Sequence, residues 1–151
     1  MDIAELEIQA EALVLPRFAE AEAWWLGQWL VARAQAGNLP IAINIRTQDR
    51  TYFHVSMPGA SPANDQWARR KGNAAFLEQK ASLIVRLRLE ARGLTIERHG
   101  ISLADYAASG GSVPIRVAGV GMVATVTVSG LPDVEDHALV AEGIAALKAR
   151  A

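Results

Sequence analysis

Ile41-Ala42-Ile43-Asn44-Ile45-Arg46, a polar break at Gln48-Asp49-Arg50, then Thr51-Tyr52-Phe53-His54-Val55-Ser56-Met57: two runs that alternate with period two decide how this chain folds. Successive strand side chains point to opposite faces, so the pair predicts an antiparallel hairpin. One face carries Ile41, Ile43, Ile45, Phe53, Val55 and Met57; the other collects Ala42, Asn44, Arg46, Tyr52, His54 and Ser56.

Downstream, Pro58-Gly59 turns the chain, and Ser61-Pro62 supplies an N-cap hydroxyl followed by proline at the first helical position, predicting a helix over 62–79. A second helical stretch, 82–92, ends at Gly93. After a loop holding Asp105, Tyr106 and Ser109-Gly110-Gly111-Ser112 come two strand-forming runs, Pro114-Ile115-Arg116-Val117 and Met122-Val123-Ala124-Thr125-Val126-Thr127-Val128. Pro132 opens a last helix, with Asp133, Glu135 and Asp136 complementing its dipole. Upstream lies a helix over 20–36 that ends at Gly37-Asn38, on which Ala21, Trp25, Trp29, Ala32 and Ala36 form one stripe while Trp24 and Val31 lie nearly opposite. Tryptophans on two faces predict a second apolar surface, covered either by the domain's own sheet around a deeply buried helix or by another subunit, with self-association into a homo-oligomer as the favoured expectation. Residues 1–12 read as a short helix, followed by an extended Val14-Leu15-Pro16-Arg17-Phe18. Strands in adjacent pairs with helices between the pairs predict one α/β domain of the α+β type over 1–151, an antiparallel sheet flanked by helices.

Composition narrows the function. The 151 residues include no cysteine, which excludes disulfides, a thiol nucleophile and thiolate zinc sites. Fifteen basic against sixteen acidic side chains give no general attraction for a phosphate backbone or an anionic membrane, so neither nucleic acid nor membrane is an expected partner. The acidic start Met1-Asp2-Ile3-Ala4-Glu5 is unlike a signal or transit peptide, and the expected location is cytoplasmic.

Among the motifs, Gly119-Val120-Gly121-Met122-Val123-Ala124 fits the letters of a dinucleotide fingerprint, but its glycines run into a strand instead of opening a helix, so a bulge or a close backbone approach is the better reading. Asp65-Gln66-Trp67-Ala68-Arg69-Arg70-Lys71-Gly72-Asn73 is more distinctive. Three consecutive cations near a helix N-terminus oppose the macrodipole and need compensation, with Asp65 as the local candidate. On the wheel Trp67, Arg70, Lys71 and Ala74 share one face, and Arg69, Asn73 and Phe76 another. Two readings stand for this patch: a solvated or subunit-contact surface, or a site for a small anion held by Trp67, Arg69, Arg70, Lys71 and Asn73, with Gly110 and Gly111 as backbone donors. His54 with Tyr52, Asn44 and Arg46 reads as a pocket wall or as a polar face covered by a helix. Asp133 and His137, four apart, could share a metal, but ordinary dipole complementation is the favoured account and no metal site is expected. Ser56, His54 and Asp105 supply the residue types of a hydrolase triad without its spacing, and no catalytic residue is assigned.

Three segments taken together resemble a known group: Leu39-Pro40-Ile41-Ala42-Ile43-Asn44-Ile45; Asn64 to Asn73; and Asp105-Tyr106-Ala107-Ala108-Ser109-Gly110-Gly111-Ser112-Val113-Pro114-Ile115-Arg116, continuing to Ser129-Gly130-Leu131-Pro132 and Glu135-Asp136-His137. The chain resembles the uncharacterised branch of the haem-degrading-domain superfamily, the HbpS-like or GlcG-like proteins. The resemblance implies a profilin-like fold with a sheet of about five strands, oligomers, and binding of haem or another small anionic ligand. Where members of the group often carry Gly-His-Ser-Ser after the Arg-Arg-Lys helix, this chain has Gln79-Lys80-Ala81-Ser82, which removes a histidine that could have served as a haem ligand. The resulting expectation is a non-catalytic or weakly catalytic small-ligand-binding protein; the alternative is an interaction protein whose apolar helix surfaces dock subunits or partners.

Overall fold

In the computed structural model, which describes residues 1–150, the predicted hairpin is present as β1 (Ala42–Arg46) and β2 (Thr51–Ser56), paired antiparallel with Ile43 opposite Val55 and Asn44 opposite His54. The remaining strands, β3 (Ser112–Val117) and β4 (Gly121–Ser129), form a second hairpin, and β4 docks on β1 to give the order β2-β1-β4-β3. The helices are α1 (Ile3–Ala12), α2 (Glu20–Gly37), α3 (Pro62–Glu78), α4 (Ser82–Ala91) and α5 (Asp133–Arg150). None is long and apolar enough to cross a membrane.

The sheet has four strands where about five were expected. The missing edge is a single bridge: the Leu15 N–H donates to the Arg116 carbonyl at 2.8 Å, and the Leu15 carbonyl accepts from Ala118 at 2.9 Å. Pro16 follows at once and has no N–H, so the pairing cannot extend.

Register assigns the two faces. Ile43, Ile45, Phe53, Val113, Ile115, Val126 and Val128 point to one side and form the main core with α2 and α5. The stripe of α2 that enters this core is Ala23, Leu26, Gly27, Leu30 and Ala34, and not the expected Ala21, Trp25, Trp29, Ala32 and Ala36. Steric fit decides this: a Cβ on Gly27 would lie 2.5 Å from the Phe53 ring, so the helix approaches the sheet along its smallest residues. Trp25 and Trp29 flank that stripe, with the guanidinium groups of Arg150 and Arg33 each 5.0 Å from their ring centroids.

The opposite face of the sheet is polar and still buried. Ser112, Thr125, Thr127 and Ser129 are almost fully covered there, Asn44 and Arg46 are partly covered, and His54 is exposed at the margin. Its cover is α3, whose inward residues are Ala68, Lys71, Gly72, Ala74 and Ala75. Small residues let the helix lie close to short hydroxyl side chains. Asn64 caps α3, its side-chain oxygen accepting from the Ser61 N–H at 2.9 Å. Tyr52 departs from the expected polar face: a bulge between Ile45 and Arg46 moves it toward Phe18, with ring centroids 6.4 Å apart. Gly119 in the β3–β4 turn and Gly121 at the start of β4 both adopt positive φ, and a Cβ on either would meet nothing, so neither is a close approach; the register shift expected of this stretch falls just after them, between Met122 and Ala124.

Candidate functional site

The polar sheet face and α3 bring the singled-out residues into one region but divide them among three surroundings. Lys71 faces inward. Its ammonium, 3% exposed, donates to Asp136 Oδ2 at 2.9 Å and to the Val128 carbonyl at 3.2 Å. Asp136 also accepts from the Gly130 and Leu131 N–H groups. Burial pushes the Asp136 carboxyl above its ordinary value, against the downward pull of Lys71 and those N–H groups. Gly111 fits beside this pair because it has no side chain: at φ 134° a Cβ would sit 2.4 Å from the Val128 carbonyl oxygen and 2.9 Å from Lys71 Nζ. The Gly110 N–H donates to Asp133 Oδ2 at 2.9 Å.

Arg70 turns outward and lies over Trp67, its guanidinium carbon 4.5 Å from the ring centroid, with Nε donating to the Leu103 carbonyl at 2.7 Å. Arg69 binds the same loop from the other side, donating to Asp105 at 3.1 Å and to the Ala104 carbonyl at 2.8 Å. Asp65, the expected compensator of Arg69, instead accepts from Ser56 at 2.6 Å and lies 2.9 Å from His54 Nε2. The Ser56 hydroxyl holds the Asp65 carboxyl below its ordinary value; partial burial opposes this and His54 assists it. His54 Nδ1 meets the Asn44 amide at 3.1 Å. With Ser56 and His54 both on one carboxylate oxygen of Asp65, and Asp105 on Arg69, the residues of a hydrolase triad are not in relay.

The third surrounding is a groove of about 420 Å³ at the open end of the polar face, lined by Arg46, Arg50, His54, Asp65, Arg69 and Asn73 among others. Arg46 is its centre. The guanidinium donates to Asn73 Oδ1 at 2.7 Å and to the Thr47 and Gln48 carbonyls, and sits 5.0 Å from the Phe76 ring centroid. Among the described residues no carboxylate pairs with it. Burial, and then the neighbouring charge of Arg69, lower its affinity for the proton. Arg50 is paired with Glu20 at 3.2 Å. Of the seven residues selected from the sequence, Arg69 and Asn73 line this groove; Arg70 binds the 103–105 loop and Trp67 lies exposed under its guanidinium; Lys71, Gly110 and Gly111 lie in or beside the buried Lys71–Asp136 network. The hairpin alternation puts Arg46 on a face read as a pocket wall or as covered by a helix, and a strand arginine under a helix of small residues is the signal that it is both.

The Asp133–His137 pair does not share a metal geometry. Asp133 is clamped by Arg86 at 2.6 Å, and His137 Nε2 lies 2.7 Å from Gln9 Oε1. Burial would raise the Asp133 carboxyl, but the Gly110 N–H and Arg86 hold it below its ordinary value. No cluster of three or more metal-binding side chains occurs among the described residues.

An antiparallel sheet with an apolar face under two helices and a polar face under a third is the profilin-like α+β class, here carrying a cationic groove on the polar side. The chain belongs to the HbpS-like family: the model described as "haem degrading protein HbpS-like" matches residues 18–145. It is 45% identical over 144 residues to a UPF0303 protein of Rhizobium rhizogenes, covering 95% of this chain and 89% of that protein. It is 46% identical over 143 residues to one from Streptomyces coelicolor, covering 94% and 90%. Among solved structures, the Ybr137w protein superposes with a TM-score of 0.91 at 24% identity, covering 99% of this chain and 89% of that one. A PduOC:heme complex gives 0.72 at 20% identity, covering 85% and 94%. A double mutant of HbpS from Streptomyces reticuli gives 0.71 at 20%, covering 87% of each chain.

The family implies haem, and the donor set can be tested against it. Haem iron needs an axial side chain facing an open slot. Both ring nitrogens of His54 are engaged, and His137 is 4% exposed beneath α1. Among the described residues, neither His54 nor His137 turns a free imidazole nitrogen to an open slot.

Proposed function

We propose that this protein binds a small anionic molecule in the groove of Arg46, Arg69 and Asn73, without transforming it. The observation that carries the proposal is Arg46: a half-buried guanidinium close enough to Arg69 to be perturbed by it, with carbonyls and an amide as partners and no carboxylate. A carboxylate or phosphate between the two forks would make charge-assisted hydrogen bonds to both and relieve their repulsion. The loop contacts of Arg69, to Asp105 and the Ala104 carbonyl, hold its fork in place beforehand. Membership of a family described as haem degrading, and the likeness to a protein solved with heme, support small-ligand binding as the broader reading. If haem itself is the ligand, its propionates are the groups this groove suits.

The test is a thermal-shift screen with malonate, inorganic phosphate and haemin. A ligand at a hundredfold excess over its Kd stabilises by about 2.7 kcal/mol, or roughly 5–10 °C for a chain of this size. Arg46→Gln and Arg69→Gln should each remove most of that shift. An equal shift in wild type and both variants would overturn the assignment.

Self-association is the second reading, favoured by the outer edge of β2. Among the described residues no strand pairs with that edge, and beside it Trp24 is 58% exposed, with its ring centroid 5.6 Å from that of Phe53. An unpaired edge next to an exposed tryptophan is suited to a second copy of the chain.

A further inference from the structure

The groove of Arg46 has two ends of opposite sign. On α3, Asp65, Arg69 and Asn73 recur every four residues on one face, which sets Asp65 about 6 Å from Arg69 along the helix axis. On β1, Asn44 and Arg46 share one side of the strand two residues apart, about 7 Å along it. Side-chain contacts tie the two walls level by level. His54 joins Asp65 at 2.9 Å to Asn44 at 3.1 Å, and Arg46 meets Asn73 at 2.7 Å.

The charges at the two ends do not meet. Asp65, whose side chain is 32% exposed and so within reach of a ligand, has Oδ1 occupied by the Ser56 hydroxyl and His54 Nε2. Among the described residues no lysine or arginine pairs with it, and its Oδ2 has no hydrogen-bond partner. The Ser56 hydroxyl holds this carboxyl below its ordinary value, so it is ionised at neutral pH. Arg46 is the counterpart at the other end, its fork anchored on Asn73 and on the Thr47 and Gln48 carbonyls. Separate anchors thus keep apart two charges that would otherwise neutralise each other. The other charged groups of the groove are occupied: Arg50 pairs with Glu20, Arg69 with Asp105, and Asp49 accepts from the Thr47 hydroxyl in the exposed hairpin turn. Every side chain lining the groove is polar or charged, so an apolar tail gains little there.

We infer that the groove takes a small ω-amino acid, with its carboxylate between Arg46 and Arg69 and its ammonium about 6 Å away on Asp65. The inference rests on the anion assignment of Arg46 and Arg69 and adds the group at the far end. A ligand of both signs matches both charges, whereas a diacid long enough to span the same distance would meet Asp65 as a like charge.

Nitrogen–proton spectra of the full chain, titrated at low ionic strength, give dissociation constants for 4-aminobutyrate and for pentanoate, which has a methyl group in place of the ammonium. 4-Aminobutyrate should bind at least about fivefold more tightly, the scale of a charge-assisted hydrogen bond in a partly exposed place. Asp65→Asn keeps the shape of the side chain and an oxygen for Ser56 and His54, and it should bring the two affinities together. Arg46→Gln should weaken both compounds by a similar factor. Equal affinities in the wild type, with both weakened by Arg46→Gln, would overturn the ammonium site and leave the anion assignment standing. So would a preference that survives Asp65→Asn, or one that disappears with Asp49→Asn instead. No binding of either compound, or binding that Arg46→Gln does not weaken, would overturn both readings.

Discussion

Replacing Lys71 by methionine keeps the length of the side chain and removes its charge, in a place where the charge has one carboxylate partner. Asp136, 1% exposed, would retain only the Gly130 and Leu131 N–H groups, and the Val128 carbonyl would lose the Lys71 donor. Removing one partner of a buried ion pair costs about 3–5 kcal/mol, a large part of the roughly 5–15 kcal/mol that holds a domain together. Without Lys71 the Asp136 carboxyl loses its main opposition to burial, so its folded pKa rises further. A carboxyl raised on folding binds more protons in the folded state than in the unfolded one. The resulting stability is present below the unfolded value and is lost as pH rises through the folded one. Lys71→Met should therefore be far less stable than wild type at neutral pH, and the gap should narrow as the buffer is made acidic. Urea unfolding followed by circular dichroism at several pH values measures both effects. A penalty under about 1 kcal/mol at neutral pH, or a gap that does not change with pH, would refute the reasoning, since an exposed pair behaves that way.

The other expectations concern separate parts of the fold. His137 has its pKa lowered from 6.5 to about 4 by burial, so the unfolded chain takes up a proton across that window and the folded one does not. Stability should fall by about 3 kcal/mol as pH drops from 6.5 to below 4, and His137→Leu should remove that component from the urea-unfolding profile. Gly111→Ala would place a Cβ 2.4 Å from the Val128 carbonyl oxygen at φ 134°, and should lower stability by at least about 2 kcal/mol by the same assay. If the β2 edge joins two copies, Val55→Lys and Trp24→Ser should each reduce the mass seen by light scattering; an unchanged mass would remove that edge from consideration.

The hairpin was legible because burial on two unlike faces writes period-two alternation directly into residue type, as in Ile43-Asn44-Ile45. The core stripe of α2 was not, because Ala23 and Gly27 qualify by smallness and a hydrophobicity wheel weights Trp25 and Trp29 above them. Tyr52 was misplaced by a bulge, which shifts one residue and leaves no compositional mark. In the site, Lys71 shares a helix face with Ala74, and the Ala68, Gly72 and Ala75 set signals close packing on a sheet. A cation in that company requires a buried carboxylate. Asp136 supplies it from a first helical turn, where acidic residues are so commonly dipole complements that nothing marked this one out. Arg69 and Asn73 were selected for their charge and spacing, but their meeting with Arg46 depends on how α3 lies across β1, which is a tertiary fact.

The groove can be tested at its own atoms by following the side-chain Nε–Hε resonances of Arg46 and Arg69 and the Asn73 amide in nitrogen–proton spectra during titration with malonate or phosphate. Binding of an anion between the two forks predicts that all three move together and saturate at one midpoint. Saturable binding in which these three stay still while signals elsewhere shift would contradict it.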